Sequence, residues 1–332
     1  MTSRQLVKKA LEFDTPPRTP RQLWSLPWAE FHHPEQLKKI RAEFPDDIIT
    51  SPAFYKTPPK TIGDQYALGN YTDEWGCVFQ SREPGYIGEV KEPLIKTWAD
   101  LDKVAAPDEL LTVDVEKVND FCRASDKFII SDVLARPFER IQFLRGSENT
   151  YMDIALGSGE FKTLLEKVHN FFVQEILLWA HTDVDALFFM DDWGGQKSLL
   201  ISPETWRSVF KPLYKEYIDI AHNHGKKIFM HSDGCITDII GDLVELGLDA
   251  LNSQVFCMGP ENLGGKFRGK LTFWGEIDRQ HILPEGSKQE VVDAVELFKR
   301  SLGQNGGIIA QCEFGPGAKP ENVCTVFEQW NK

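Results

Sequence analysis

The stretch Gly306-Gly307-Ile308-Ile309-Ala310-Gln311-Cys312-Glu313-Phe314-Gly315-Pro316-Gly317 decides the fold class of this 332-residue chain. Its apolar run ends in a thiol, a carboxylate and a glycine-proline turn, the pattern of a buried strand whose carboxyl end carries polar groups. A second run of this kind, Lys227-Ile228-Phe229-Met230-His231-Ser232-Asp233-Gly234, ends in an imidazole and a carboxylate. If both strands belong to one parallel barrel, these groups meet at one rim.

Short apolar strands alternate with longer amphipathic segments from about residue 127 onward. Residues 160–182 carry apolar side chains at three- and four-residue spacing, which predicts a helix, and residues 184–190 predict the strand after it. Such alternation is typical of parallel βα units that are buried on both faces. No Gly-x-Gly-x-x-Gly follows the first strand, so the sequence favours an α/β fold of the (β/α)8 TIM-barrel type over a Rossmann sheet.

We expect one domain over residues 1–332. Frequent prolines before residue 60 indicate irregular structure. Residues 1–125 are therefore predicted to form the first strand, around residues 22–26, and an N-terminal extension that caps the barrel. Residues 126–332 are predicted to form the regular βα units.

Charge and cysteine content limit the classes of partner. The formal net charge of −13 argues against nucleic acid or an anionic membrane as the main partner. No apolar stretch approaches the roughly 18 residues that span a bilayer. The charge is compatible with a small-molecule substrate, which we expect. The six cysteines form no Cys-x-x-Cys pair and lack the spacing of a disulfide-dense domain, so we expect a reducing, cytoplasmic compartment.

In a βα barrel the active site lies at the carboxyl ends of the strands, so polar residues at these ends are the candidates for chemistry. Five predicted strands end in such residues: Asp191, Asp192, Trp193, His231, Asp233, Asn252, Gln254, Glu276, Asp278, Cys312 and Glu313. Structural roles remain open for several of them. A lone strand cysteine is usually a small buried hydrophobe. Asp191 or Asp192 can simply cap the following helix or bind loop amides. Glu276 can simply pair with Arg279.

Several short motifs, taken in order, resemble the uroporphyrinogen decarboxylase superfamily. They are Asp73-Glu74-Trp75-Gly76, Arg136-Pro137-Phe138-Glu139, Leu144-Arg145-Gly146, His231-Ser232-Asp233-Gly234, Gly275-Glu276-Ile277-Asp278-Arg279-Gln280 and Pro320-Glu321-Asn322-Val323. The resemblance runs from about residue 18 onward and implies a single (β/α)8 barrel. One branch of this superfamily is the cofactor-free decarboxylase of haem biosynthesis. The other is a set of corrinoid-dependent methyltransferases, which hold zinc with a His-x-Cys pair and a late cysteine.

The chain departs from the decarboxylase pattern in two places. Residues 19–27 lack the arginine pair of the decarboxylase's N-terminal stretch, and Gln311-Cys312-Glu313 stands where that enzyme has Gly-His-Gly. The methyltransferase pattern is closer, because His231 and Cys312 match its histidine and its late cysteine. Asp233 replaces the middle cysteine.

The resemblance therefore implies a Zn²⁺ site with His231, Asp233 and Cys312 as ligands, and with Glu276 as a fourth or substitute ligand. Carboxylate oxygen is an accepted zinc ligand. The resemblance further implies transfer of a methyl group between a small substrate and a corrinoid carried by a partner protein. Asp73, Asp191 and Asp192 are expected to orient the substrate or transfer a proton. The side chains expected to contact the substrate are Trp75, Trp193, Gln254 and Arg145.

Two other functions remain open at this point. One is a cofactor-free lyase of the decarboxylase type, and the other is a non-catalytic barrel that binds a small ligand or a tetrapyrrole. Metal content separates the methyltransferase from both. The resemblance is compatible with a monomer or a homodimer.

Overall fold

The structure, a computed structural model, describes residues 1–332. Its strands are β1 (Arg21–Ser25), β2 (Ile48–Thr50), β3 (Gly69–Thr72), β4 (Val78–Ser81), β5 (Glu89–Val90), β6 (Phe128–Val133), β7 (Ala186–Met190), β8 (Lys227–Ser232), β9 (Ala250–Ser253), β10 (Thr272–Trp274) and β11 (Ile308–Phe314).

The helices are α1 (Ser3–Leu11), α2 (Pro27–His32), α3 (Pro34–Glu43), α4 (Val115–Arg123), α5 (Pro137–Arg145), α6 (Ser147–Leu156), α7 (Gly159–Ala180), α8 (Pro203–Val209), α9 (Lys211–Asn223), α10 (Thr237–Leu246), α11 (Val255–Met258), α12 (Pro260–Phe267), α13 (Ile282–Glu285), α14 (Lys288–Leu302) and α15 (Pro320–Trp330). Two 3₁₀ helices cover Trp98–Lys103 and Asp108–Thr112. No helix has the length and apolar character that crossing a membrane requires.

Eight parallel strands form a nearly closed barrel in the order β1-β11-β10-β9-β8-β7-β6-β2, with helices between them. The prediction of a (β/α)8 TIM barrel is confirmed. Residues 1–125 supply two of the barrel strands, β1 and β2, where the sequence predicted only the first. They also supply a separate antiparallel sheet, in the order β3-β4-β5.

The barrel strands divide their side chains between two apolar cores, because successive residues of a strand point to opposite faces. The interior core includes Ile130 of β6, Phe229 of β8 and Ile309 of β11. Val7 and Leu11 of α1 belong to this interior core, so α1 covers the amino end of the barrel. A second, larger core fills the space between the strands and the surrounding helices.

Asp47 links β1 and β2 by hydrogen bonds at the point where the barrel closes. Its backbone N–H donates to the Arg21 carbonyl at 2.8 Å, and its own carbonyl accepts from Phe128 N–H at 2.9 Å. Its carboxylate accepts from Ser3 Oγ at 2.7 Å and from the Arg18 guanidinium at 2.7 and 2.8 Å. This single buried carboxylate therefore ties α1, the segment before β1 and the start of β2 together.

We predict that Asp47→Ala lowers the free energy of unfolding by about 2 kcal/mol, because charged hydrogen bonds to a buried carboxylate are lost while Arg18 stays partly hydrated. Burial alone raises the pKa of Asp47, but its hydrogen bonds to Arg18 and Ser3 outweigh burial and lower it. A lowered folded-state pKa adds stability above the unfolded value of about 4 that is lost as pH falls through the folded value. Urea denaturation at pH 7 and pH 3 should show a smaller difference between wild type and variant at pH 3; an equal difference contradicts the role.

Candidate metal and active site

His231 lies at the carboxyl end of β8, almost fully buried, and its ring orientation is fixed by Asn252 of β9. The two residues are paired in the register of these strands, and His231 Nδ1 lies 2.6 Å from Asn252 Oδ1. The Asn252 amide in turn donates through Nδ2 to the Trp274 carbonyl, which sets its orientation. Asn252 Oδ1 therefore accepts from Nδ1–H, and Nε2 is the atom that His231 presents to the barrel mouth.

Two carboxylates face this nitrogen. His231 Nε2 lies 3.4 Å from Asp233 Oδ1 and 3.7 Å from Asp192 Oδ1. Asp192 also accepts from the Asp233 N–H at 2.8 Å, so the two loops that carry these residues hold each other in place. Ligand atoms of the three residues all lie within 4.8 Å of one another. One imidazole and two carboxylates form a donor set that suits zinc or another divalent transition metal.

The charges of this cluster reinforce one another. Burial alone lowers the pKa of His231, but the hydrogen bond to Asp233 and the charges of Asp233 and Asp192 outweigh burial and raise it to about 10. Burial alone raises the pKa of Asp233, but His231 and Arg279 lower it to about 2. The negative charges of Asp192 and Asp233 therefore favour a positive charge between them, and in this structure the protonated imidazole of His231 supplies it.

Arg279, in the loop after β10, neutralises the carboxylates on the other side of Asp233. Its guanidinium pairs with Asp233, with Glu313 at 2.9 Å and with Glu276 at 3.4 Å. Glu276 is buried and one of its oxygens has no hydrogen-bond partner. Burial raises the pKa of Glu276 to about 8, against the lowering effect of Arg279. Near neutral pH this side chain therefore carries a proton at the mouth of the barrel.

A cavity of about 270 Å³ opens beside the cluster. Its lining is mostly polar and consists of Gln196, Gln254, Phe256, Cys257, Glu276, Asp278, Arg279, Gln280 and His281. A neighbouring cavity of about 540 Å³ shares Arg279 and Gln280 with it. Arg279 thus stands between two compartments at the mouth, within reach of a substrate in either.

The structure does not bring Cys312 to the cluster. Ile309 belongs to the barrel interior, whereas Ala310 and Cys312 belong to the core between strands and helices. Since side chains alternate along β11, Gln311 and Glu313 are the residues that face the mouth. Cys312 is fully buried, and burial raises the pKa of its thiol well above the usual range. Its surroundings are those of a packing residue. The side chain of Cys312 lies on the face of β11 that points away from His231, so it is not placed to share a metal ion with that histidine.

Asp191 occupies a structural position next to Asp192. One carboxylate oxygen accepts from the Phe138 N–H and the other from the Glu139 N–H, both at 2.9 Å, so Asp191 caps the amino end of α5. The Tyr214 hydroxyl donates to it as well, at 2.8 Å. The sequence left open that one of the two aspartates caps the helix that follows it, whereas Asp191 caps α5, which precedes it in the chain. The catalytic role of Asp191 stays a prediction.

Four other predicted residues lie outside the lining of the cavity. Trp193 is fully buried and stacks on a phenylalanine of α5, and Trp75 packs against α7. Asp73 forms a buried ion pair with an arginine of α5. Arg145 pairs with Asp153 of α6 at 2.8 Å. Of the residues predicted to contact substrate, Gln254 is the one that lines the cavity.

Three residues near the cluster received no site role from the sequence. Arg279 appeared only as a possible partner of Glu276, although it belongs to the quoted Gly275–Gln280 motif. Trp24 of β1 places its ring 5.4 Å from the ring of His231, and only its strand position signalled this. Glu139 is half-buried, one of its oxygens lacks a hydrogen-bond partner, and desolvation raises its pKa to about 7.

The family of the chain follows from its sequence. The sequence model of the family described as "Uroporphyrinogen decarboxylase (URO-D)" matches residues 73–332, about three quarters of the chain. The chain belongs to the URO-D family. The matched region contains Asp192, His231, Asp233, Glu276 and Arg279, so the cluster lies within the URO-D part of the sequence. No curated protein matches the sequence.

Solved structures resemble this URO-D family member at low sequence identity. A methyltransferase from Methanosarcina mazei has a TM-score of 0.66 and 12% identity, over 100% of this chain and 98% of that chain. An endo-β-1,4-xylanase from Gloeophyllum trabeum has a TM-score of 0.44 and 10% identity, over 96% and 98%. A 3-keto-D-glucoside 4-epimerase from E. coli has a TM-score of 0.41 and 10% identity, over 67% and 85%. The first of these likenesses supports the barrel fold.

If the cluster binds a metal, Asn252 is the residue that orients the imidazole ligand. We predict that Asn252→Ala weakens zinc affinity about 10- to 100-fold, the usual effect of losing the partner of a ligand histidine. Asn252→Asp keeps an acceptor for Nδ1–H and should retain most of the affinity. Competition with a chromophoric chelator measures both. Equal affinities of wild type and Asn252→Ala, with both proteins folded by circular dichroism, contradict this orienting role.

Proposed function

We propose that this chain is a zinc-dependent methyltransferase that moves a methyl group between a small substrate and a corrinoid carried by a partner protein. The observation that carries the proposal is the convergence of His231 Nε2 with the carboxylates of Asp192 and Asp233 beside a polar cavity. Membership in the URO-D family and the shared fold of the Methanosarcina mazei methyltransferase support it.

The residues present fit a zinc ion. His231, Asp192 and Asp233 would hold it, and three protein ligands leave one position open for a substrate atom, as in catalytic zinc sites. When bound, zinc supplies a Lewis acid that lowers the pKa of a substrate oxygen or sulfur. The ligand set contains no thiolate, which favours substrates with a harder donor atom such as an alcohol or ether oxygen.

Protein side chains around the cluster supply binding and proton transfer. Gln254 lines the cavity and offers amide hydrogen bonds that orient a small polar substrate. Glu276 lines the same cavity and holds a proton near neutral pH, so it can donate that proton to a substrate heteroatom. Arg279 holds Asp233 and Glu313 in place and balances part of their charge.

The charge of the mouth disfavours the decarboxylase-type alternative. Uroporphyrinogen carries many carboxylates and needs a basic cleft. The cavity here presents Glu276 and Asp278, and its one arginine is already paired with three carboxylates of the protein. A ligand of high negative charge would have to compete with these partners for Arg279.

The metal assignment predicts different effects for three variants. His231→Gln and Asp233→Asn should each lower zinc affinity by at least about 100-fold, since each removes one of three ligands. Cys312→Ala should bind one zinc per chain with wild-type affinity, because Cys312 faces the helix layer. Metal analysis after dialysis and chelator competition measure these values. Loss of zinc in Cys312→Ala with retention in Asp233→Asn contradicts the assignment.

The reaction can be tested with methylcobalamin as a stand-in for the corrinoid protein. We expect the zinc-loaded protein to demethylate methylcobalamin with a small alcohol, phenol or thiol as acceptor, followed by the change in cobalamin absorbance. Asp233→Asn should reduce the rate at least about 100-fold. A metal-free protein that releases CO₂ from uroporphyrinogen, with no methyl transfer by the zinc-loaded form, would establish the lyase instead.

A further inference from the structure

A second cavity, of about 390 Å³, lies at the opposite end of the barrel from the cluster. Asp185 and Lys226 immediately precede β7 and β8, so they mark the amino ends of the strands. The lining consists of Arg4, Lys8, Cys122, Arg123, Asp183, Val184, Asp185, Gly225 and Lys226. We call it the basic cavity, because four of its nine residues are cationic and two are acidic.

Most of the charges in the basic cavity are paired within the protein. Asp185 accepts from Arg4 Nε at 2.8 Å and lies 3.2 Å from Lys8 Nζ, so two cations share one carboxylate. Arg123 lies 3.3 Å from Asp183 and pairs with Asp120 at 2.6 Å outside the lining. The pairing leaves one positive charge in excess beside Asp185.

Lys226 supplies a second excess charge. It is half-buried, and its ammonium group has neither a carboxylate within 4.0 Å nor a hydrogen-bond acceptor. A half-buried cation without a direct partner has lost part of its hydration, and the charges of Asp183 and Asp185 offset only part of that loss. Burial accordingly lowers the pKa of Lys226. In a chain with a net charge of −13, this local excess of cations stands out.

We propose that the basic cavity binds a doubly charged oxyanion of the phosphate class. Lys226 would contact it from one side, and Arg4 and Lys8 from the other. Arg4, Lys8 and Lys226 together carry two positive charges more than Asp185 balances, which matches a dianion. Guanidinium and ammonium donors are the usual partners of phosphate oxygens. The volume exceeds that of a phosphate group alone, so an organic part of a phosphate monoester can be accommodated. This site is independent of the proposed methyl transfer, which takes place at the other end of the barrel.

The test is calorimetric titration of the full chain with inorganic phosphate and with glycerol phosphate, at constant ionic strength set by chloride. Wild type should bind both saturably, and tighter binding of the ester would identify a phosphate monoester as the ligand. Lys226→Gln should weaken binding by at least about tenfold, the effect of losing one charged hydrogen bond. Lys162→Gln removes the same charge from an exposed position on α7 and should bind as wild type does.

Lys8→Gln keeps the Arg4–Asp185 pair and serves as a second variant if Lys226→Gln does not fold. It should weaken phosphate binding several-fold while leaving the thermal unfolding midpoint without phosphate near that of wild type, because Lys8 is about half exposed. The proposal is overturned if neither anion binds saturably. It is equally overturned if the folded Lys226 or Lys8 variants bind like Lys162→Gln.

Discussion

The two-residue alternation of side chains along the barrel strands is the constraint on which the rest of the structure depends. It assigns Phe229 and His231 of β8 to the interior face, and Met230 between them to the helix layer. The same rule, applied to β11, sends Glu313 to the mouth and Cys312 to the outer core. A barrel in this register cannot present His231 and Cys312 to one ion without a slip of β11 by one residue, which would invert every side chain of that strand.

In this register, the acidic side chains at the mouth of the barrel share only two cationic side chains. The carboxylates of Asp192, Asp233 and Glu313 face only His231 and Arg279, so each cation serves more than one of them, with the protonated Glu276 beside Arg279 as well. A divalent metal held by His231, Asp192 and Asp233 would compete with Arg279 for Asp233. Arg279 would then give up part of its interaction with Asp233 while keeping Glu313. At the amino end of the barrel the imbalance of charge is reversed: in the basic cavity cations outnumber carboxylates, and Lys226 has no direct partner.

The sequence predicted the barrel because its later strands and helices are long and strongly periodic, as in residues 160–190. It missed β2, since a strand of three residues, Ile48–Thr50, leaves no period to detect. The rim positions of His231, Asp233 and Gln254 followed from strand ends. Gln311 and Glu313 alternate with Ala310, Cys312 and Phe314, so the sequence places Cys312 on the face opposite to Glu313. Which of the two faces turns to the mouth did not follow, because β11 is buried on both sides. The capping role of Asp191 and the ion pairs of Arg279 with Asp233 and Glu313 join residues far apart in the chain, which no local pattern reveals. The pair of Arg279 with Glu276 spans three residues and was open from the sequence.

X-ray absorption spectroscopy at the zinc edge is the sharpest test of the ligand set, because it distinguishes oxygen and nitrogen ligands from sulfur in the folded protein. The geometry of His231, Asp192 and Asp233 predicts a first shell of nitrogen and oxygen at about 2.0–2.2 Å, with no sulfur. A sulfur scatterer at about 2.3 Å that disappears in Cys312→Ala would contradict the account. It would show that β11 takes another register in the metal-bound protein.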